Sequence, residues 1–215
     1  MFNLPEFNSE FLNSFSEFKP LTIAIVLFLL VGGVLGIMKK QNQKFTTKML
    51  VYGSLCLALS FVLSYIKLFS WPQGGSITPA SMLPIIMFAS MFGVLPGIIV
   101  GIAYGLLQLI QDPYVIHWAQ LFLDYPLAFG AIGLAGLFKN NLVLSSLVGG
   151  FSRFIFSFIS GFVFFASYAP DGMNAVVYSL AVNGLIIGTE TLICAVVSAV
   201  PQIKSATKRI AKESF

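Results

Sequence analysis

The sequence predicts an all-α integral membrane protein, a bundle of transmembrane helices. Three properties predict this class: 57% of the 215 residues are hydrophobic, only 9% are charged, and the mean hydropathy is +0.91. A soluble domain carries about 25% charged residues because its surface faces water. At about 20 apolar residues per crossing, the chain has room for roughly six to eight helices. A soluble catalytic or nucleotide-binding domain is excluded.

The first predicted helix is the apolar run Leu21–Met38, which is long enough to cross the hydrocarbon core of a bilayer. Residues 1–20 carry Glu6, Glu10 and Glu17 against Lys19 alone. The positively charged start of a cleaved signal peptide is therefore missing. We expect this first helix to be retained.

Basic residues indicate the orientation of the chain, since they concentrate in cytoplasmic loops. A first cluster follows the first apolar run: Lys39, Lys40, Lys44 and Lys48. Lys139 lies between two later runs, and a second cluster lies near the end of the sequence: Lys204, Lys208, Arg209 and Lys212. Every cluster is cytoplasmic if the N-terminus is external and the C-terminus is cytoplasmic. That orientation is the prediction.

Six further apolar runs follow, separated by polar or turn-forming stretches. They are approximately Met49–Phe69, Ile77–Phe92, Leu95–Ile110, His117–Phe138, Val143–Ser167 and Val176–Val200. The predicted organisation has three parts. Residues 1–48 hold an external segment, one extra helix and a basic cytoplasmic linker; residues 49–202 form a six-helix core; residues 203–215 form a basic cytoplasmic tail.

One face of the fifth run carries polar residues at membrane depth. His117, Gln120 and Asp124 are spaced i, i+3 and i+7, which places them on one side of a helix. Asp124 then lies about 10 Å deep, and Asn183 on the last run reaches about the same depth. Because an acid inside a membrane usually has a function, Asp124 is a candidate site residue.

A second polar face combines a cation with small residues. Arg153, Ser157 and Gly161 follow each other at intervals of four, and Arg153 matches Glu190 of the last run in depth. We therefore predict an Arg153–Glu190 ion pair, whether as a structural clamp or as part of a site. For Ser157 the sequence leaves two roles open, helix packing and ligand binding.

Aromatic residues occur near the predicted external ends of the helices: Trp71, Tyr114, Trp118 and Tyr168. They are typical of an interfacial belt. Together with Asp124 and Asn183 they instead predict a pocket for a flat, cationic, ring-containing solute, because aromatic faces attract cations.

Motifs for other chemistries are missing. The sequence lacks the phosphate-binding loop, the serine nucleophile elbow and the zinc protease helix. His117 has no second ligand at a suitable spacing, so we predict neither a metal nor a cofactor. The basic residues lie beside apolar runs, so the predicted partner is the lipid bilayer and not nucleic acid. Uphill transport would need an ion gradient or a partner protein.

Four stretches identify a family resemblance. Residues 72–78 (PQGGSIT), 120–125 (QLFLDY), 164–170 (FFASYAP) and 178–184 (YSLAVNG) resemble the thiamine-specific substrate-binding subunits, or S components, of energy-coupling-factor (ECF) transporters. The likeness covers about residues 49–202, and the first helix lies outside it. It implies a non-enzymatic subunit that captures thiamine (vitamin B1) or a close analogue and works with an ECF transmembrane coupling protein and two ATPase subunits.

The resemblance also implies roles for individual residues. Those that match substrate-binding positions are Tyr114, Asp124, Arg153, Ser157, Phe165, Tyr178 and Asn183. Gly74 and Gly75 match an external gate, and Ser54 and Ala58 match a stripe of small residues that contacts the coupling partner. The chain departs from the family pattern, since Ser157 replaces a common histidine and Asp124 replaces a common glutamate. Arg153 and Phe165 occupy positions where relatives also carry lysine and tryptophan.

Two alternatives stay open at this stage. A stand-alone proton-coupled vitamin carrier would use Asp124 or Glu190 as the titrating group. An intramembrane enzyme would use His117 and Asp124 as acid and base. The second alternative is disfavoured, since seven helical residues separate these groups by about 10 Å along the axis.

Overall fold

The structure, a computed structural model, describes residues 45–214, so the predicted helix Leu21–Met38 lies outside the described residues. Five of the described helices are long and apolar enough to cross a membrane. The elements are α1 (Thr47–Ser64), β1 (Phe69–Ser70), β2 (Ser76–Ile77), α2 (Leu83–Phe92), α3 (Val94–Gln111), α4 (Trp118–Phe138), α5 (Leu142–Phe164), α6 (Ala175–Ala199) and α7 (Pro201–Ser214). The predicted multi-pass helical bundle is confirmed.

Polar residues fix where three of the long helices begin. The Thr46 hydroxyl accepts the backbone N–H of Met49 at the start of α1. Asn141 and Asn174 cap α5 and α6 in the same way. Such caps satisfy N–H groups that have no partner inside the helix.

The stretch before α2 is not helical, so the predicted helix Ile77–Phe92 is wrong in its first six residues. Ile77 instead pairs with Phe69 in the short antiparallel hairpin β1–β2. Proline at position 79 disfavours helical geometry at Thr78, and Ala80 has a φ of +66°. Helix α1 ends at Ser64 and does not continue to Phe69, because Phe69 belongs to the hairpin.

Glycines let α3 and α4 pack with their backbones in contact. A Cβ on Gly101 would collide with the carbonyl oxygen of Phe129, and one on Gly133 would collide with the backbone of Ile98. Small residues at such crossings allow helices to approach closely, which is a main source of packing attraction in lipid. The close crossing fixes the position of α4 beside α3.

Helix α4 changes geometry along its length. It starts as an α-helix, widens to a π-helix over Leu123–Leu127 and ends as a 3-10 helix over Ile132–Phe138. Pro126 lies inside the wide turn, where its missing N–H and its ring disrupt regular α-helical bonding. Asp124 belongs to this turn, so the irregularity helps to set the direction of its side chain.

Helix α7 occupies most of the segment predicted as a tail. It follows α6 after a single residue, and its apolar side packs against the bundle. Ile203 joins the core around α2 and α6, while Ile210 and Ala211 pack near Met49 of α1. The predicted boundary at residue 202 therefore falls inside a helix.

We expect Gly133→Ala to lower the unfolding free energy by about 1–3 kcal/mol, because the new methyl meets backbone atoms that cannot move aside. Thermal unfolding in detergent measures the change. Gly184→Ala is the matched control, since a Cβ at Gly184 meets nothing within 4 Å. Equal midpoints for the two variants would contradict the close α3–α4 crossing.

Candidate functional site

A cavity of about 140 Å³ lies at one end of the bundle, between the hairpin and helices α3 to α6. Its lining includes all nine residues predicted as substrate-binding or gate positions: Gly74, Gly75, Tyr114, Asp124, Arg153, Ser157, Phe165, Tyr178 and Asn183. The structure thus brings together residues that span more than half of the sequence. That they bind a solute stays a prediction.

Asp124 is held by two neutral donors. Nε2 of Gln120 donates to Oδ2 of Asp124 at 2.7 Å, and the Ser160 hydroxyl donates to the same oxygen at 2.8 Å. The predicted common face of Gln120 and Asp124 is confirmed by this contact. Because both side-chain donors meet one oxygen, the carboxylate is oriented within the cavity wall.

Gln120 also ties the α3–α4 loop to α4. Its side chain is almost fully buried, Nε2 donates to the carbonyl of Tyr114 at 3.0 Å, and Oε1 accepts the N–H of Ile116. The Tyr125 hydroxyl accepts the N–H of Tyr114 at 2.8 Å. Sequence reasoning missed Tyr125 as a lining residue, although it directly follows Asp124 in the matched stretch.

A buried ion pair closes the floor of the cavity. Nη1 of Arg153 lies 3.0 Å from Oε2 of Glu190, whose side chain is 1% exposed. The hydroxyls of Thr78 and Ser81 donate to Oε1 of the same carboxylate. The guanidinium also lies 4.3 Å from the centre of the Phe129 ring. The predicted Arg153–Glu190 pair is confirmed.

Two buried donors on the lining have no hydrogen-bond partner among residues 45–214. They are Nε of Arg153 and Nε1 of Trp71. Buried polar groups in proteins are nearly always hydrogen-bonded, so these two unpaired donors are exceptions within the residues that line the cavity. Sequence reasoning noted Trp71 only as one of several aromatic residues.

Aromatic rings form one wall. The ring centres of Tyr114 and Phe165 are 5.8 Å apart with an interplanar angle of 25°, and the Tyr114 hydroxyl donates to Tyr168 at 2.9 Å. This hydrogen bond raises the pKa of the Tyr114 hydroxyl above its ordinary value of 10.0. Trp118 is 71% exposed and does not line the cavity, in agreement with an interfacial role.

The turn of the hairpin lies against the cavity. Gly74 and Gly75 have φ values of +90° and +87°, a conformation that favours glycine. A Cβ on Gly74 would lie 3.2 Å from Tyr114, and one on Gly75 would lie 3.3 Å from Ile186. The turn is thus wedged between the aromatic wall and α6, although its role as a gate stays a prediction.

His117 does not face Asp124. It precedes α4 in an extended conformation, where Nδ1 accepts the N–H of Ala119 and the ring stacks on Phe164 at 5.0 Å. The helical spacing therefore does not apply to it, and the predicted face holds only for Gln120 and Asp124. In the described part of the chain no three His, Cys, Asp or Glu side chains group as a metal site.

Ser54 and Ala58 lie outside the cavity, on the exposed side of α1. The Ser54 hydroxyl bonds back to the carbonyl of Leu50, one turn earlier. Gly53 and Ser60 are buried on an adjoining side of the helix. A partner helix could reach the stripe, and its role in coupling stays a prediction.

Removal of one member of the Arg153–Glu190 pair leaves a buried charge without its counterion. We expect Arg153→Met or Glu190→Gln alone to cost about 3–5 kcal/mol of unfolding free energy. The double variant should cost clearly less than the sum of the two. Unfolding of all four proteins in a detergent titration checks this coupling, and strictly additive losses would contradict the pairing.

Comparison with known proteins identifies related sequences. The family profile described as Thiamine transporter protein matches residues 50–210. Thiamine transporter ThiT of Bacillus subtilis (strain 168) is 33% identical over 176 residues, covering 73% of this chain and 91% of that protein. Thiamine transporter ThiT of Lacticaseibacillus paracasei is 34% identical over 123 residues, covering 48% of this chain and 61% of that protein.

A solved structure shares the fold. ThiT from Listeria monocytogenes superposes with a TM-score of 0.66 at 22% sequence identity, covering 76% of this chain and 96% of that one. At this level of identity the similarity supports the fold alone. The profile match extends eight residues beyond position 202, so it includes most of α7.

Proposed function

The chain belongs to the thiamine transporter protein family, and on that premise we propose that it captures thiamine, or a close analogue, in the cavity at one end of the bundle. The protein is a multi-pass membrane transporter subunit and not an enzyme. The observation that carries the proposal is the convergence of Asp124, the aromatic wall and the unpaired donors on one cavity.

The charges around the cavity suit a cation. Arg153 is paired with Glu190 on the floor, and Asp112 on the rim is paired with Lys67. Asp124 is bonded instead to the neutral Gln120 and Ser160 side chains. Its negative charge therefore lacks a bound counterion within the described chain, and the positive thiazolium ring of thiamine would supply one.

The remaining lining suits flat heteroaromatic rings. Tyr114 and Phe165 present a stacked aromatic surface, on which a cationic or electron-poor ring gains both contact and electrostatic attraction. Asn183, Ser157 and Arg153 line the same space, and in this proposal their polar side chains hydrogen-bond the aminopyrimidine ring. Oδ1 of Asp124 receives no side-chain donor in the described structure and is the atom that we assign to the ligand.

The transport step needs a partner. We infer that the subunit docks through the Ser54–Ala58 stripe onto an ECF transmembrane coupling protein that carries two ATPase subunits. The stripe is exposed, and small residues there would let a partner helix approach closely. The cavity end faces outward in this proposal, and the basic end with α7 faces the cytoplasm.

Asp124→Asn should weaken thiamine binding by about 1.5–3 kcal/mol, since the ligand loses a charge-assisted hydrogen bond while the cavity keeps its shape. Titration calorimetry of the purified chain measures the affinity. Asp171→Asn is the control, because Asp171 is an exposed acid in the α5–α6 loop and lies outside the lining. Equal losses in both variants, or none in either, would argue against Asp124 as the ligand group.

The orientation predicts opposite labelling of the two ends. Single cysteines are introduced in a chain whose Cys56 and Cys194 are replaced by alanine. A cysteine at position 171 should react with a membrane-impermeant maleimide added outside. A cysteine at position 208 should react only after the membrane is permeabilised. Both positions are exposed in the structure. The reverse pattern would invert the proposed orientation.

Ala58→Trp should abolish thiamine transport by the complex reconstituted with its coupling module while leaving thiamine binding intact. The bulky ring would hold the partner helices apart, whereas the cavity lies elsewhere. Leu192→Trp is the control, because Leu192 is 62% exposed on α6 and outside the stripe.

Normal transport by the Ala58→Trp complex would refute the docking face. Uptake by the wild-type chain in vesicles that lack the coupling module would instead support the stand-alone proton-coupled carrier.

A further inference from the structure

Helix α7 separates its residues into two sides. Lys204, Lys208 and Lys212 follow each other at intervals of four, so they form one stripe along the helix, and all three are exposed. Arg209 is exposed beside this stripe. Residues 201–212 contain no acidic residue.

The apolar side of α7 is already occupied by protein. Thr207 is 7% exposed, Ile203 packs against the main core, and Ile210 packs against the cluster formed by Met49 and Phe92. The helix is therefore anchored to the bundle and does not depend on lipid to bury its apolar residues. Its basic stripe consequently has a fixed position relative to the transmembrane helices.

Other basic residues lie at the same end. Ser146 and Ser198 are hydrogen-bonded at 2.7 Å, which places the start of α5 beside the end of α6, so the exposed Lys139 in the preceding loop belongs to this end. Lys48 is exposed next to Met49, which packs near α7. The opposite end holds the cavity, where Lys67 is paired with Asp112.

None of the three lysines of the stripe forms a salt bridge with a side chain that the structure describes; the described salt bridges at the cavity end join Lys67 to Asp112 and Arg153 to Glu190. Lys204, Lys208 and Lys212 thus present their charges at the end of a membrane-embedded bundle, with no described carboxylate in contact. Helices of this kind, with clustered lysines next to a transmembrane segment, are attracted to anionic headgroups.

The geometry points to an anionic phospholipid site: the Lys204–Lys208–Lys212 stripe of α7 binds the phosphate-bearing headgroups of the bilayer surface. The interaction is electrostatic, because the apolar side of the helix is covered by α2 and α6. It fixes α7 at the membrane surface and through it the end of α6. This inference does not depend on which solute the cavity takes.

Binding of phosphatidylglycerol to the purified full chain in neutral detergent tests the site, with native mass spectrometry to count bound lipids and thermal unfolding to measure stabilisation. The wild type should bind phosphatidylglycerol in preference to phosphatidylcholine, and about 0.5 M salt should remove the preference by screening. The variant K204Q/K208Q/K212Q should lose at least about tenfold in phosphatidylglycerol affinity.

Two controls keep the result interpretable. The charge-conserving K204R/K208R/K212R should retain lipid affinity, and solute binding in the distant cavity should be unchanged in both variants, which shows that the bundle is folded. Unchanged phosphatidylglycerol affinity in the glutamine variant would overturn the site. Equal stabilisation by inorganic phosphate would overturn the lipid assignment in favour of free phosphate. Loss of assembly with the coupling module, with lipid affinity intact, would assign the stripe to a protein partner instead.

Discussion

A carboxylate buried inside a membrane protein has to be surrounded by donors, and the arrangement around Glu190 organises the cavity end of the bundle. Arg153 comes from α5, whereas Thr78 and Ser81 come from the loop that leads into α2. Because all three bond to one side chain of α6, the hairpin, α5 and α6 are fixed relative to each other. Removal of either partner alone would leave a buried charge without its counterion, so the pair favours this one arrangement of the three segments.

Asp124, the other acid in the interior of the bundle, has a different set of hydrogen-bond partners. Asp124 receives neutral donors only, from Gln120 one turn earlier and from Ser160 across the α4–α5 contact. One carboxylate is thus paired with a cation and links three parts of the fold, while the other is held by neutral donors next to open space. Gln120 adds a link from Asp124 to the backbone of the Tyr114 loop, so the aromatic wall and the acid are positioned together.

Hydropathy and helical spacing were sufficient for much of this structure. The runs at Leu95–Ile110, Val143–Ser167 and Val176–Val200 correspond closely to α3, α5 and α6, and equal depth correctly paired Arg153 with Glu190. Depth and aromatic placement also predicted a pocket with Asp124, Asn183 and Tyr114, and the family resemblance added Phe165, Tyr178 and the two hairpin glycines to it.

Long-range contacts explain the misses. The segment from Ile77 to Met82 continues the apolar run that leads into α2, so hydropathy predicts that it is helical. The hydroxyls of Thr78 and Ser81 instead bond to Glu190, more than a hundred positions away, which a local pattern cannot reveal. His117 fits the helical spacing yet acts as a cap. In α7 the lysines lower the hydropathy, so its apolar contacts through Ile203 and Ile210 were overlooked.

Native mass spectrometry of the purified full chain tests thiamine capture most directly. The protein is offered thiamine together with equimolar thiamine monophosphate and a neutral analogue that lacks the thiazolium charge, and the mass of the retained ligand is read. Capture through Asp124 predicts one thiamine per chain, with the neutral analogue excluded. Retention of the neutral analogue at equal occupancy, or of none of the three, would contradict it.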